Sequence, residues 1–154
     1  MQLSDFLDTD AIQSALPGGN KRSVFKQLAE LASQRVKVGS AAVLASLNDR
    51  EQLGSTGFGQ GVAIPHAKVD GLGNIYGLFA RLAEPVDYKA IDGRPVDLIF
   101  LLLSPPGAGA EHLKALAAIS RVTRDAATLE RLRGARSRDA LAAVLIGADE
   151  RDAA

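Results

Sequence analysis

The sequence predicts an α/β domain in which helices cover both faces of a small central β-sheet. Helical segments come first, short strands follow, and further helices complete the chain, an order typical of α/β folds. Residues 96–103 are apolar at seven of eight positions, which is typical of a strand buried on both faces. The length of 154 residues suits one domain. We assign it to residues 1–150 and expect a short tail at 151–154.

Five helices are predicted from hydrophobic periodicity and from residues that begin or end helices. They cover residues 21–36, 41–51, 110–124, 126–132 and 137–146. We expect Gly147 to end the last one. In the helix that begins at residue 110, Leu113 and Leu116 are expected on one face together with Ala117 and Ser120.

Three strands are predicted between the second and third helices. They are 62–64, which Pro65 stops, 75–82 and the apolar run 96–103. Residues 54–61 hold four glycines and are expected to form tight turns rather than a regular element. The order of the strands in the sheet does not follow from this pattern.

Charge and composition exclude several classes of function. The 18 basic and 18 acidic side chains balance, which argues against nucleic-acid binding and against a polybasic membrane-surface protein. The chain has no cysteine, so disulfides, iron–sulfur clusters and a cysteine nucleophile are excluded. The N-terminus does not resemble a signal peptide and no apolar run is long enough to span a bilayer. We therefore expect a cytoplasmic protein without membrane insertion.

The densest chemical signal lies between Arg50 and His66. His66 follows an apolar strand and a proline, so we expect its ring at the end of a strand, where open α/β sheets bind ligands. The glycines of 54–61 leave backbone N–H groups uncovered, and Ser55 and Thr56 add hydroxyl groups, all suited to an anion. Arg50 would fold back across this turn with a permanent, forked charge. These parts suit an anion at, or covalently on, a neutral imidazole.

Other interpretations of the two histidines and the serines are weaker. A single histidine near a strand end is more often structural, and His112 in a first helical turn is as readily a solvated residue as one that faces His66. Their spacing matches no zinc pattern, and we predict no metal site. Ser55 and Ser104 lie outside the G-x-S-x-G context of a hydrolase, and the glycine run lacks the lysine of a P-loop. No cofactor is predicted.

Two blocks of the sequence together resemble a known family. The first is Arg50, Gly54-Ser-Thr-Gly57 and Ile64-Pro-His66; the second is Ser104-Pro-Pro with Glu111-His-Leu-Lys-Ala-Leu116. They resemble the active-site segments of enzyme IIA proteins of the bacterial phosphotransferase system, in the fructose, mannitol and nitrogen-regulatory superfamily. The resemblance covers most of the chain and implies a mixed β-sheet flanked by helices on both sides.

Within that superfamily, the chain looks most like the nitrogen-regulatory branch. The segment Gly54-Ser-Thr-Gly-Phe-Gly59 has the form of that branch, and we expect a stand-alone domain with no IIB or membrane segment attached. Ala67 departs from the glycine that many relatives carry after the histidine, which leaves the histidine itself intact.

The resemblance implies a role for each candidate site residue. His66 would accept a phosphoryl group from a small HPr-like phosphocarrier, His112 would be the supporting histidine, and Arg50 would stabilise charge. Ser55 and Thr56 would contact the phosphoryl oxygens. The implied protein is a phosphotransferase-system component that works through a phosphohistidine and regulates partner proteins by its phosphorylation state. The alternative is a fructose- or mannitol-type IIA that passes phosphate to a IIB protein during sugar uptake.

Overall fold

The computed structural model describes the backbone of residues 1–153 and the side chains of residues 1–151. The strands are β1 (Gln13–Leu16), β2 (Gly57–Gly59), β3 (Val62–Ala63), β4 (His66–Lys68), β5 (Tyr76–Val86) and β6 (Val96–Ser104). The helices are α1 (Lys21–Arg35), α2 (Ser40–Gln52), α3 (Ala110–Thr123), α4 (Ala126–Gly134) and α5 (Arg138–Ala153). Two short 3₁₀ turns precede β1, at Leu3–Asp5 and Thr9–Ala11.

The six strands form one mixed sheet with β6 near its centre. The strand order is β1-β5-β6-β3-β2, and β4 also pairs with β6. β5 runs antiparallel to β6, whereas β3 and β4 run parallel to β6 along its other edge. Residues 98–103 of β6 are at most 1% exposed. The predicted mixed sheet and its buried central strand are confirmed.

Alternate residues of β6 enter two hydrophobic cores, one on each face of the sheet. Ile99, Leu101 and Leu103 join the core that α1 and α2 cover. Leu98, Phe100 and Leu102 join the core that α3, α4 and α5 cover. Because each fully buried side chain of this size stabilises the fold by about 1.5–3 kcal/mol, β6 contributes substantially to both cores.

The last helix extends beyond its predicted end. Gly147 lies inside α5, which continues to Ala153, so the predicted stop at Gly147 is wrong. The Asp149 carboxylate accepts a 2.9 Å hydrogen bond from the backbone N–H of Leu3, and Ala148 is buried. These tertiary contacts outweigh the cost of about 1 kcal/mol for an internal helical glycine. Ala154 of the predicted tail lies outside the described residues.

The buried face of α3 differs from the face predicted from the sequence. Leu113 is 67% exposed, whereas His112, Ala115 and Ile119 are buried. The buried stripe includes the small residues Ala115 and Ala118, and Leu113 lies outside it. His112 therefore lies on the buried side of the helix.

The strands that the sequence pattern did not indicate are the short ones. β1 and β4 were not predicted, and β2 lies inside the glycine-rich segment expected to form only turns. β5 is longer than expected because it continues past Pro85, where the pairing with β6 is irregular. A proline is tolerated at such an irregularity because no ladder N–H is needed there.

Within residues 1–153, the helices are all too short or too polar to cross a membrane.

Candidate functional site

Pro65 divides one edge of the sheet into two short strands and sets the position of His66. β3 pairs with the first half of β6 and β4 with the second, and the Pro65 carbonyl accepts from Leu102 N–H at 3.0 Å. His66 is therefore the first residue of β4 rather than the last of a strand, which corrects the sequence-based placement. It still lies opposite Leu102, near the carboxyl end of β6.

The His66 ring has one nitrogen bonded and one free. Nδ1 lies 2.7 Å from the backbone oxygen of Ile64. A carbonyl oxygen only accepts, so Nδ1 carries the hydrogen and Nε2 keeps its lone pair. Every fully buried side-chain nitrogen and oxygen in the described residues has a partner, so Nε2, which has none, is open to solvent. Nε2 is thus an available nucleophile.

His66 is held in its neutral form. Burial lowers its pKa below 6.5, and the nearby charge of Arg50 lowers it further. The hydrogen bond to Ile64 and the charge of Glu51 act in the opposite direction without reversing the shift. A neutral imidazole at pH 7 has the lone pair that nucleophilic attack needs.

His112 lies beside His66, on the first turn of α3. The two ring centroids are 5.6 Å apart at an interplanar angle of 50°. His112 is 8% exposed, and its Nδ1 is 2.6 Å from the hydroxyl of Ser104, the last residue of β6. Its pKa is lowered by burial and then by the neighbouring His66 and Lys68. The structure thus brings both histidines of the chain to one place.

Arg50 folds back over the glycine-rich turn, as the sequence predicted. It lies in the last turn of α2, and its Nη1 donates to the backbone oxygen of Gly54 at 2.9 Å. Gly54 has φ of +150°, a conformation that side-chain-bearing residues rarely adopt. The guanidinium is close enough to lower the pKa of His66, and one hydrogen bond leaves most of its five N–H donors free.

Ser55 and Thr56 differ in what their hydroxyls can do. The Ser55 oxygen accepts from the N–H of Gly57 at 3.0 Å, which leaves its own hydrogen free to donate. The Thr56 hydroxyl is 2.5 Å from Glu51 Oε1, to which it donates, and 2.7 Å from the Tyr88 hydroxyl. Thr56 is only 6% exposed. Its hydroxyl is therefore committed to Glu51 and Tyr88, and of the two hydroxyls only that of Ser55 keeps a free hydrogen.

The sequence did not indicate the cluster beneath this turn, which consists of Lys21, Glu51, Thr56 and Tyr88. The Lys21 ammonium lies 2.5 Å from Glu51 Oε2 and 4.4 Å from the centroid of the Tyr88 ring. The Glu51 carboxylate also accepts from the backbone N–H of Thr56 at 2.9 Å. Burial opposes its ionisation, but these bonds hold the pKa of Glu51 below its usual value. We call this group the Glu51 cluster.

No group of three or more histidine, aspartate or glutamate side chains in the described part of the chain is placed to hold a metal ion. The two histidines face each other without a carboxylate between them as third ligand. What the arrangement offers instead is a neutral imidazole beside a guanidinium and a second imidazole.

The fold and the site define a phosphotransferase-system domain. Residues 5–147 match the family described as "Phosphoenolpyruvate-dependent sugar phosphotransferase system, EIIA 2". This match covers most of the chain, and the chain belongs to that family.

Several similar curated proteins are named nitrogen regulatory proteins. One from Bradyrhizobium diazoefficiens is 46% identical over 145 residues, covering 94% of this chain and 95% of the relative. One from Escherichia coli is 35% identical over 143 residues, covering 92% and 87%. A protein named "PTS system fructose-specific EIIA component" from Haloferax volcanii is 34% identical over 144 residues, covering 93% and 94%.

Solved structures agree with the fold. The nitrogen regulatory protein IIA-Ntr of Neisseria meningitidis superposes with a TM-score of 0.88 at 36% identity, covering 93% of this chain and 98% of that one. The IIA mannitol protein of Escherichia coli gives a TM-score of 0.75 at 18% identity, covering 88% and 96%, a likeness of fold alone.

Proposed function

We propose that this chain is a nitrogen-regulatory IIA protein that accepts a phosphoryl group on Nε2 of His66 from a small HPr-like phosphocarrier. The observation that carries the proposal is the 2.7 Å hydrogen bond between His66 Nδ1 and Ile64 O, which leaves Nε2 with its lone pair. A relay that starts from phosphoenolpyruvate operates where that metabolite is made, in the cytoplasm.

The transfer balances without a cofactor. The Nε2 lone pair of His66 forms a bond to phosphorus while the nitrogen–phosphorus bond of the carrier breaks, and its electron pair returns to the carrier imidazole. The hydrogen of His66 stays on Nδ1, hydrogen-bonded to Ile64 O, so no proton has to leave His66 during the step. The transition state is loose, with charge spread over three oxygens, so the protein's task is to position groups and to stabilise charge. Arg50, Ser55 and His112 supply that stabilisation.

The regulatory output follows from charge. A phosphoryl group on His66 adds about −1.5 to −2 charges near the carboxyl end of β6. A surface changed in this way gains or loses partner proteins without any change of fold. The relatives named nitrogen regulatory proteins favour this role.

The alternative is a sugar-specific IIA that passes its phosphate to a IIB protein. The fructose-specific EIIA relative supports it, as does a neighbour of the same fold solved as a complex of enzyme IIA mannitol and phosphorylated enzyme IIB mannitol. Adding a IIB protein to the phosphorylated chain separates the two: rapid loss of phosphate to IIB favours sugar uptake. Neighbouring sigma-54 and phosphocarrier genes, rather than sugar permease genes, favour regulation.

The direct test is phosphorylation of the intact chain. Incubation with phosphoenolpyruvate, an enzyme I-type protein and an HPr-like carrier should add one acid-labile phosphoryl group by intact mass spectrometry. Omitting the carrier is the control, and it should give no addition. A chain that stays unmodified with every carrier offered contradicts the proposal.

Arg50→Ala should lower the transfer rate by about a hundredfold, the cost of losing one well-placed charge donor. Arg50→Lys should recover only part of this loss. A point charge cannot reproduce the forked guanidinium, which can bond Gly54 and the phosphoryl group at the same time. Single-turnover transfer from the phosphorylated carrier measures both rates. Wild-type transfer by Arg50→Ala would remove Arg50 from the site.

The His66 imidazole should titrate below pH 6.5, because burial and the Arg50 charge both disfavour the protonated ring. In Arg50→Gln the midpoint should rise, since a positive neighbour is removed while Glu51 and the neutral His112 stay. Side-chain ¹H–¹⁵N NMR of the unphosphorylated protein follows this titration directly. A midpoint at or above 6.5 in the wild type would show that the ring is more solvated than its geometry indicates.

A further inference from the structure

We infer that Ser104 is a positioning residue that fixes the tautomer of His112, so that its exposed Nε2 carries a hydrogen and donates to the phosphoryl group. In the sequence, Ser104 is a poor hydrolase candidate and the first residue of the second family-like block, with no role of its own. The inference deepens the proposed function of the site, on which its catalytic part rests, and it begins from the Ser104–His112 contact.

The direction of that hydrogen bond follows from burial. Ser104 is 0% exposed, and among the described residues its hydroxyl has a single partner within hydrogen-bond distance, His112 Nδ1 at 2.6 Å. A hydroxyl always carries a hydrogen, and a buried one must find an acceptor. If Nδ1 donated to the oxygen instead, the hydroxyl hydrogen would stay unpaired in the core. The hydroxyl therefore donates, and Nδ1 accepts with its lone pair.

The tautomer of His112 is then determined. A neutral imidazole whose Nδ1 accepts carries its hydrogen on Nε2. Nε2 has no partner in the described residues and is not among the buried unpaired atoms, of which this part of the chain has none, so it is open to solvent. Burial and the neighbouring His66 and Lys68 lower the pKa of His112 and keep its ring neutral. The ring therefore carries a single hydrogen, and that hydrogen is on Nε2.

The two histidines therefore have opposite tautomers for opposite tasks. His66 is protonated on Nδ1, because Ile64 O accepts there, and exposes a lone pair on Nε2. His112 is protonated on Nε2, because Ser104 donates to Nδ1, and exposes an N–H. Phosphoryl oxygens only accept, so an exposed lone pair on His112 would repel them, whereas an N–H attracts them. A ring that lies 5.6 Å from His66 is near enough for this difference to affect transfer.

The backbone holds Ser104 rigidly for this purpose. It ends β6 opposite Lys68 of β4, and its carbonyl accepts from Val69 N–H at 2.9 Å. Its side chain is thus fixed by the same pair of strands that fixes His66. One strand pair positions the nucleophile directly and the second histidine through a single hydroxyl.

The test reads the tautomer and the transfer rate separately. Long-range ¹H–¹⁵N NMR of the unphosphorylated wild type should show His112 with an unprotonated Nδ1 and a protonated Nε2. Ser104→Ala should shift His112 toward the Nδ1–H form and slow transfer by about tenfold, less than the outright loss of such a donor. Ser104→Thr keeps the hydroxyl and should restore both readouts. Ser120→Ala, farther along α3, is the matched control and should change neither.

The outcomes distinguish this inference from the proposed function. A wild-type His112 with its hydrogen on Nδ1 overturns the inference, whatever the transfer rate. An unchanged tautomer and an unchanged rate in Ser104→Ala overturn it as well. If the wild type shows the expected tautomer but accepts no phosphoryl group from any carrier, the proposed function fails while the assignment of the tautomer to Ser104 stands on the NMR of the variants.

Discussion

Replacing His66 with alanine should leave a folded protein that accepts no phosphoryl group, with transfer reduced at least a thousandfold. In the proposed transfer this side chain supplies the attacking lone pair, and the chain has only one other histidine. In His112 the lone pair is on Nδ1, which is bonded to the buried Ser104 hydroxyl. It cannot take over as acceptor without breaking that bond. Intact mass after incubation with the phosphorylated carrier measures the result.

The controls for this variant separate chemistry from folding. His112→Gln keeps an N–H donor and should still accept phosphate, at a reduced rate.

Because burial lowers the pKa of His66 in the folded state, protonation opposes folding, and wild-type stability should decline as pH falls through 6.5. In His66→Ala, the part of this decline in stability that is due to His66 should be absent, and the variant should remain fully folded at pH 7. Acid-labile phosphate on His66→Ala at the wild-type rate would contradict the assignment of the acceptor.

The long elements could be predicted because their signals are local. The run that forms β6 is apolar except at its second and last residues, and hydrophobic periodicity was enough to predict α1 and α2. β4 has only three residues, and its pairing with β6 joins segments more than thirty residues apart. The end of α5 depends on a contact between Asp149 and Leu3 at the other end of the chain. A local pattern carries no information about such contacts.

The candidate site divides in the same way. Arg50, Ser55 and His66 lie within one short segment, so their types and spacing were enough to indicate an anion site. His112 could be connected with it only by supposing that both lie at the carboxyl end of the sheet, which the ring distance of 5.6 Å supports. Tyr88 comes 32 residues after Thr56, and nothing in the sequence around it indicated that it would reach the glycine-rich turn. The roles of these residues remain predictions.

The Glu51 cluster couples the stability of the fold to the geometry of the site. Its carboxylate joins the first turn of α1, through Lys21, to the glycine-rich turn, through both the N–H and the hydroxyl of Thr56. Gly57, next along the turn, has no room for a Cβ, which would lie 2.6 Å from that of Ala90. The turn is thus held by close packing at Gly57 and by hydrogen bonds at Thr56, and in the chain Arg50 precedes it and His66 follows it.

Glu51→Ala should lower the free energy of unfolding by about 2–3 kcal/mol, because it leaves the Lys21 charge and two Thr56 donors without their acceptor. This loss of stability is smaller than that for breaking a fully buried ion pair, because Lys21 is about one-quarter exposed. For a chain of this size it corresponds to a melting temperature lower by about 5–10 °C. Transfer should slow by about ten- to a hundredfold, as the turn that holds Arg50 loosens. Denaturant unfolding and single-turnover transfer measure the two effects.

The pH dependence of the Glu51→Ala effect provides a check that a simple packing loss would fail. The pKa of Glu51 is lowered in the folded protein, so its stabilisation is fully present above its usual value of 4.5 and is lost as pH falls through the folded value. The stability gap between wild type and Glu51→Ala should therefore narrow in acid. Glu130→Ala, at an exposed position of α4, is the matched control and should have the same free energy of unfolding as the wild type. If the stability difference between wild type and Glu51→Ala stayed constant into acid, the Glu51 side chain would act through its packing. The charged link from Lys21 to the glycine-rich turn would then not explain the effect.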